Sequence, residues 1–183
     1  MKNPAKSNAF LKILGVDPGS LVCGYGVIVS NGREASYVTS GTINAAPCGP
    51  LHHRLRHIYE SLVAIIREHR PDDIVVEKIF FAKGAKAALS LGHARGVVLL
   101  AAASEQLTLH ECTALQVKKA VVGYGRAEKR QVQEMVKMIL RLRGTISPDG
   151  ADALALALCH MNTLQFNNAV DRDVSAGRDG AAK

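Results

Sequence analysis

Four carboxylates in this sequence stand at the edges of apolar segments, where charged groups are uncommon. Asp17 ends the run ILGVD, and Glu77 ends the run DDIVVE. Asp149 and Asp152 head the segment SPDGADALALALCHMN, which is otherwise almost wholly apolar. An ionised group at the end of a buried strand is unfavourable unless it pairs with a cation, and no nearby Lys or Arg is an evident partner for Asp17.

Clustered carboxylates repel one another and resist ionisation, whereas a divalent cation turns the same cluster into a binding site. Ligation by oxygen alone selects Mg²⁺ or Mn²⁺ over zinc. Two such ions about 4 Å apart activate a water and stabilise the departing oxygen in an in-line attack on phosphorus. The four acids therefore indicate metal-assisted phosphoryl chemistry, provided that the fold brings them together.

A purely structural explanation also exists. Ser147 is a good N-cap and Pro148 a good first helical residue, so Asp149 and Asp152 lie near the positive end of a helix dipole. Acids are common in first turns, and capping alone would account for the pair. Asp17 could likewise be a turn residue before Pro-Gly.

The elements that must position these acids follow from the pattern of apolar residues. Three short strands separated by turns open the chain and predict an antiparallel meander. A helix with the period of 3.6 residues follows Pro50, and the β-branched run ending at Glu77 predicts a buried strand. A helix rich in Ala and Gly, the strand TLHEC and three further helices complete a mixed α/β order. We expect one domain over residues 11–166 and a disordered tail over residues 167–183.

Composition limits the classes of function. The chain has 183 residues, 48% of them hydrophobic, and this size suits a single domain with a substantial core. Lys and Arg number 23 against 16 for Asp and Glu, a formal charge of +7, which favours a polyanionic partner such as nucleic acid. No run is long enough to span a membrane and no signal peptide is evident, so we expect a cytoplasmic protein. The four cysteines form no C-x-x-C pair, which argues against a zinc ribbon.

Basic and aromatic residues near the acids supply candidate contacts to nucleic acid. Lys118 lies in a predicted helix, and Arg126, Lys129 and Arg130 follow a Gly-Tyr-Gly turn. A solvated basic face is the alternative explanation of these residues. The adjacent Phe80 and Phe81 follow Glu77 closely; one ring is expected in the core and the other free, although both could be packed inside.

Four segments together resemble the signature blocks of the RuvC family of bacterial Holliday junction resolvases. They are ILGVDPGSLVCGYGVI, VVEKIFFAKGAKAALSLGHARGVVLLAAA, QVKKAVVGYGRAEKRQVQEMV and DGADALALAL, within residues 11–160. The resemblance implies an RNase H-like fold, a mixed five-stranded sheet with helices on both faces. It also implies paired symmetric nicks in four-way DNA junctions during homologous recombination and DNA repair, leaving 5′-phosphate and 3′-hydroxyl ends.

By this resemblance, Asp17, Glu77, Asp149 and Asp152 are the catalytic acids, holding two Mg²⁺ per active site with Mn²⁺ as a substitute. Lys118 and Lys129 are implied contacts to the scissile phosphate. Phe80 is the implied exposed ring, stacking on bases at the junction crossover. Further contacts to the DNA backbone are expected from Lys86, Arg126 and Arg130.

The resemblance also implies a homodimer, because two symmetry-related nicks need two identical sites. The Ala- and Gly-rich helix over residues 89–103 is the candidate interface. The branch-migration proteins RuvA and RuvB are implied partners.

Three other functions fit part of the pattern. An Asp-x-Gly-Ser turn after a first strand also opens actin-like ATPases and sugar kinases, but these need two such domains and leave Asp149 and Asp152 unused. A non-catalytic junction-binding module would have no use for four acids. A plainer RNase H or transposase-like nuclease would use the acids on a different substrate.

Overall fold

A mixed five-stranded sheet with helices on both faces organises the chain. The computed structural model describes residues 10–78 and 84–179; for residues 86, 87 and 168–179 it describes the backbone. The strands are β1 (Leu11–Asp17), β2 (Val22–Ser30), β3 (Ala35–Asn44), β4 (Asp73–Glu77) and β5 (Thr108–Cys112). The helices are α1 (Leu51–His69), α2 (Ala85–Ser104), α3 (Ala114–Val122), α4 (Lys129–Ile139) and α5 (Pro148–Asp179), with a 3-10 turn at Ala46–Cys48 before α1.

The first three strands form the predicted antiparallel meander, and β4 and β5 extend it in parallel. The strand order is β3-β2-β1-β4-β5, with β1 antiparallel to β2 and parallel to β4. The carboxyl ends of β1 and β4 therefore lie at the same edge of the sheet. Their register pairs Val16 with Val76, so Asp17 and Glu77 come next, side by side, at that edge.

Strand alternation sends these two acids to the same face of the sheet. Val16 and Val76, the residues that precede them, are fully buried in the core formed with α1 and α2. Successive side chains of a strand point to opposite faces. Asp17 and Glu77 therefore face the other side, where α3, α4 and α5 pack over a second core.

Two glycines on this face bring α5 against the sheet backbone. A Cβ at Gly15 would lie 1.9 Å from the carbonyl oxygen of Ala153, and a Cβ at Gly24 would lie 2.2 Å from that of Asp149. No side chain fits at either position without moving the helix. Gly24 is also the residue opposite Asp17 in the pairing of β1 with β2. The start of α5 therefore lies directly above the end of β1.

The predicted start of α5 is confirmed. Pro148 is its first residue, and the hydroxyl of Ser147 accepts a hydrogen bond from the backbone N–H of Gly150 at 3.1 Å. This is the N-cap interaction that satisfies one of the free donors of a first helical turn. Asp149 is thus not needed to cap the helix.

Helix α5 is a core helix over its first half. Except for residue 152, residues 150–161 are buried, and the helix contacts all five strands of the sheet. It continues to Asp179, past residue 166, where the sequence analysis ends the domain; the division into domain and tail stays a prediction. None of the described helices combines the length and hydropathy needed to cross a membrane.

Replacing Gly15 with Ala should move α5 away from the sheet. We expect Gly15→Ala to lower the free energy of unfolding by about 3 kcal/mol, because the new methyl group would overlap a backbone carbonyl. Urea unfolding measures this change. In Gly92→Ala, the comparison variant in α2, the new Cβ has no atom of the same chain within 4 Å, and the stability of the isolated chain should rise by about 1 kcal/mol. Equal stability of Gly15→Ala and the native protein would show that α5 is not held this closely.

Candidate active site

Three of the four acids line one cavity of about 320 Å³. Asp17 and Glu77 enter it from the ends of β1 and β4, and Asp152 enters from α5. The other lining residues are Lys118, Lys129, Ala114, Val117, Val132, Ala155 and Leu156. Asp149 is half-buried and is not a lining residue, but its charge acts on Asp17. The fold therefore gathers carboxylates that are remote along the chain.

Asp17 is strongly perturbed by this environment. Burial raises its pKa to about 7, and the neighbouring charges of Asp152 and Glu77 contribute to the shift. Burial and the charge of Asp152 also raise the pKa of Glu77. Asp17 and Glu77 therefore resist ionisation, first because they are partly buried and then because other carboxylates are close. The cavity therefore favours the binding of a positively charged group.

Lys129, in the first turn of α4, partly neutralises the negative charge of the cavity. Its Nζ lies 2.5 Å from Oδ2 of Asp152, and the hydrogen bond to Asp152 raises the pKa of the lysine. The charge of Lys129 also opposes the rise in the pKa of Asp17. Because the lysine side chain is 65% exposed, this ion pair remains open to exchange with other charged groups.

Gln133 is a contact of the acids that the sequence analysis missed. Its Nε2 donates to Oδ1 of Asp152 at 3.3 Å. Gln133 follows Lys129 by four residues on α4, so both side chains lie on one helix face. That spacing from Lys129 is the sequence feature that could have pointed to Gln133, although spacing by itself gives no reason to select a glutamine. The two residues together fix the orientation of the Asp152 carboxylate.

Arg95 holds the end of β4 from α2 and was also missed. Its Nη1 donates to the backbone carbonyl of Glu77 at 2.9 Å, and its other terminal nitrogen pairs with Glu111 of β5. The Arg95 side chain is 16% exposed. This arginine therefore fixes the backbone that carries Glu77 without reaching the cavity lining.

The predicted contacts to DNA fall into separate groups. Lys118 and Lys129 line the cavity with the acids. Arg126 and Arg130 are exposed and do not line it. Phe80 and Phe81 lie outside the described residues, and so does the side chain of Lys86. The roles of all these residues in binding DNA stay predictions.

The donor set of the cavity fits a hard divalent cation. Asp17, Glu77 and Asp152 offer oxygen ligands only, the type that Mg²⁺ and Mn²⁺ prefer. Burial, and after it repulsion by Asp152 and Glu77, raises the pKa of Asp17, and a bound cation would offset both effects. In the described part of the chain, no three of these acids bring ligand atoms within 4.8 Å of one another. The acids are therefore neighbours around an open cavity rather than a closed cage.

Comparisons with known proteins give the family. The profile of the family described as "Crossover junction endodeoxyribonuclease RuvC" matches residues 13–160. A curated relative of that name from Syntrophotalea carbinolica is 46% identical over 86% of this chain and 98% of its own length. One from Shewanella loihica is 49% identical over 84% of this chain and 88% of its own.

Solved structures agree with the sequence relatives. The structure described as "T. thermophilus RuvC in complex with Holliday junction substrate" has a TM-score of 0.81 and 31% identity, covering 86% of this chain and 96% of that one. The yeast mitochondrial Holliday junction resolvase Ydc2 has a TM-score of 0.63 at 12% identity, covering 85% of this chain and 80% of that one, a likeness of fold alone. The predicted RNase H-like fold is thus confirmed, and divalent metal use is implied. The chain belongs to the RuvC family of crossover junction endodeoxyribonucleases.

Proposed function

We propose that this protein is a Mg²⁺-dependent endonuclease that resolves four-way DNA junctions by paired symmetric nicks. The observation that carries the proposal is the convergence of Asp17, Glu77 and Asp152 with two lysines in one cavity. A relative has been solved with a Holliday junction substrate, which supports the choice of substrate. A non-catalytic junction-binding module would have no need of this group of half-buried acids, whose ionisation is unfavourable without a cation.

The residues divide the work between holding cations and holding the phosphate. Asp17, Glu77 and Asp152 would ligate two Mg²⁺ ions, with Asp149 as the fourth acid and Mn²⁺ as a substitute. When bound, the cations supply Lewis acidity and a water of lowered pKa for in-line attack on the phosphodiester. Lys118 and Lys129 would bind the scissile phosphate and stabilise its additional negative charge in the transition state. The products would carry 5′-phosphate and 3′-hydroxyl ends.

Contacts beyond the cavity would place the junction. Arg126 and Arg130 are exposed cations suited to the phosphate backbone, and Lys86 is proposed for the same role. Phe80 is proposed to stack on unpaired bases at the crossover. The formal charge of +7 supports a DNA partner whose affinity falls with salt.

Two nicks in related strands call for two copies of the site. Helix α2 carries exposed apolar side chains, with Leu89 63% and Leu100 56% exposed, and this supports its proposed role as the interface of a homodimer. An isologous dimer would set two cavities across a two-fold axis. We also propose that the protein acts in the cytoplasm, in homologous recombination and DNA repair. RuvA and RuvB are its proposed partners.

Asp17→Asn should separate binding from cutting and should also change stability. Cleavage of a labelled four-way junction in Mg²⁺ should be lost, while junction binding in a gel-shift assay persists. Because burial raises the pKa of Asp17 in the folded protein to about 7, against 3.8 for an unperturbed aspartate, folding favours the protonated form. The contribution of the protonated carboxyl group to the free energy of unfolding is present at low pH and is lost as pH rises from about 4 through 7.

Without divalent cations, Asp17→Asn should therefore be more stable than the native protein at pH 8, by roughly 2 kcal/mol, and should lose this advantage near pH 4. Glu60→Gln on α1 is the matched control, because this side chain is 58% exposed, and it should leave cleavage and stability unchanged. Near-native cleavage by Asp17→Asn would contradict the proposed role of the acids.

Protons and cations should compete for the cavity. Since Asp17 is protonated below pH of about 7 in the cation-free protein, the affinity for Mn²⁺ should fall by about tenfold per pH unit below 7. Electron paramagnetic resonance of free Mn²⁺ measures this binding directly, and cleavage at limiting Mg²⁺ should follow the same profile. An affinity that stays constant between pH 6 and 8 would disprove the competition.

Lys129→Gln should have opposite effects on cation binding and on cutting. The change removes the ammonium group from Asp152, so Mn²⁺ should bind more tightly, while the rate of cleavage of bound junction falls roughly 100-fold. Arg130→Gln is the matched control with the same loss of charge on the adjacent residue. It should weaken junction binding and its salt dependence but leave the rate of cutting of bound junction unchanged. Equal effects of the two variants would contradict the assignment of Lys129 to the reacting phosphate.

A further inference from the structure

A second group of ligand-type side chains lies on the α5 face of the sheet, away from the acidic cavity. Asp73 is the first residue of β4, His110 is in the middle of β5, and His160 is on α5. Nε2 of His160 lies 2.8 Å from Oδ2 of Asp73, and Nε2 of His110 lies 3.5 Å from the same oxygen. The two imidazole rings stack with centroids 3.9 Å apart. Two ring nitrogens thus converge on one carboxylate oxygen.

Asp73 holds the two histidines of this group unequally. His160 and Asp73 make a hydrogen bond, and the His160 side chain is 4% exposed. Nε2 of His110 is buried and has no hydrogen-bond partner. A buried polar atom without a hydrogen bond is unfavourable. Hydrogen bonding therefore accounts for His160, whereas His110 is held near the carboxylate of Asp73 only by a longer contact of 3.5 Å.

We propose that Asp73, His110 and His160 form a binding site for a divalent transition-metal ion of the Zn²⁺ class. The three ligand atoms lie within 4.8 Å of one another, and the two separations from Oδ2 of Asp73, 2.8 and 3.5 Å, are compatible with Zn–N and Zn–O bonds of about 2 Å. Two imidazoles and one carboxylate favour zinc, copper or nickel over Mg²⁺. The ion would give Nε2 of His110, which has no hydrogen bond, a role as a ligand.

The site has a route to solvent and room for further ligands. The His110 side chain is 34% exposed, whereas that of Asp73 is 16% exposed. His110 belongs to β5, the edge strand of the sheet, so an ion can enter from that edge. Water would complete the coordination on the open side, as in zinc sites with three protein ligands.

This group is separate from the acidic cavity but shares two elements with it. Asp73 and Glu77 are the first and last residues of β4, about 13 Å apart at 3.3 Å per residue. His160 follows Asp152 on α5 by eight residues, about 12 Å along a helix. A metal ion at the second site would link β4, β5 and α5, the elements that carry Glu77 and Asp152. Its direct effect would be on the stability of this packing.

Zn²⁺ added to chelator-treated protein tests the site, with millimolar Mg²⁺ present to occupy the acidic cavity. Calorimetry should show one equivalent bound, and the thermal midpoint should rise by about 5 °C at a hundredfold excess over the dissociation constant. Co²⁺ should give visible d–d bands without the near-ultraviolet band of a cobalt thiolate. Such a spectrum would exclude the cysteines as ligands.

Variants decide which residues bind the ion. His110→Phe keeps a flat ring at a partly exposed position, so it should fold, and it should weaken Zn²⁺ binding at least tenfold and remove the thermal shift. His53→Phe on α1 is the matched control: this exposed histidine also contacts another histidine, with ring centroids 4.1 Å apart, and it should bind Zn²⁺ as the native protein does. Asp17→Asn should also keep the shift.

Three results would overturn the site. They are a native protein without a Zn²⁺-dependent shift, an equal shift in His110→Phe, and loss of the shift in Asp17→Asn, which would place the ion in the acidic cavity. None of these results depends on whether the protein cuts junctions.

Discussion

Helix α5 lies against the backbone of β1 and β2 because Gly15 and Gly24 present no side chain to it. That close approach sets the distance between the first turn of α5 and the sheet. It thereby sets the positions of Asp149 and Asp152 relative to Asp17. The register of β1 with β4 then fixes Glu77 beside Asp17. The carboxylates come from three elements, so this packing is what makes them a single site. A looser helix would leave the same residues in the sequence without a common cavity.

Electrostatic strain follows from this packing. A chain with a formal charge of +7 gathers its acids in a cavity where burial and mutual repulsion raise the pKa of Asp17 to about 7. Lys129 relieves part of the repulsion through Asp152, and a cation would relieve the rest. The acids therefore favour the binding of a cation, whereas exposed basic residues such as Arg126 and Arg130 are suited to binding a polyanion. Opposite charges are separated between cavity and surface, as a metal-dependent nuclease requires.

Strand β4 and helix α5 each carry one residue of the acidic cavity and one residue of the proposed second metal site. Glu77 and Asp152 belong to the acidic cavity, and Asp73 and His160 belong to the proposed second metal site. Between the two sites lies apolar packing, with Val75 fully buried on β4. The two ligand sets differ in chemistry, with oxygens alone in the cavity and mostly imidazole nitrogen in the second site. Different cations can therefore be selected at the two places.

Much of the fold and part of the site followed from the sequence. Apolar periodicity and turn residues report local geometry, so they predicted the meander, the strand ending at Glu77, the N-cap at Ser147 and the mixed α/β order. The acids stood out because charge is rare at the ends of apolar runs. The resemblance in the four sequence blocks supplied the family, and the comparisons confirmed it.

Other features depended on contacts between distant segments. Arg95 on the Glu77 backbone, Gln133 on Asp152, and the convergence of His110 with His160 join residues from different elements. Nothing in their local sequence marks them, because periodicity gives the face of an element and not what packs against it. The sequence by itself therefore determined the elements and the four acids. Tertiary structure alone decided which acids share a cavity and which side chains orient them, since those distances are set by packing across the whole chain.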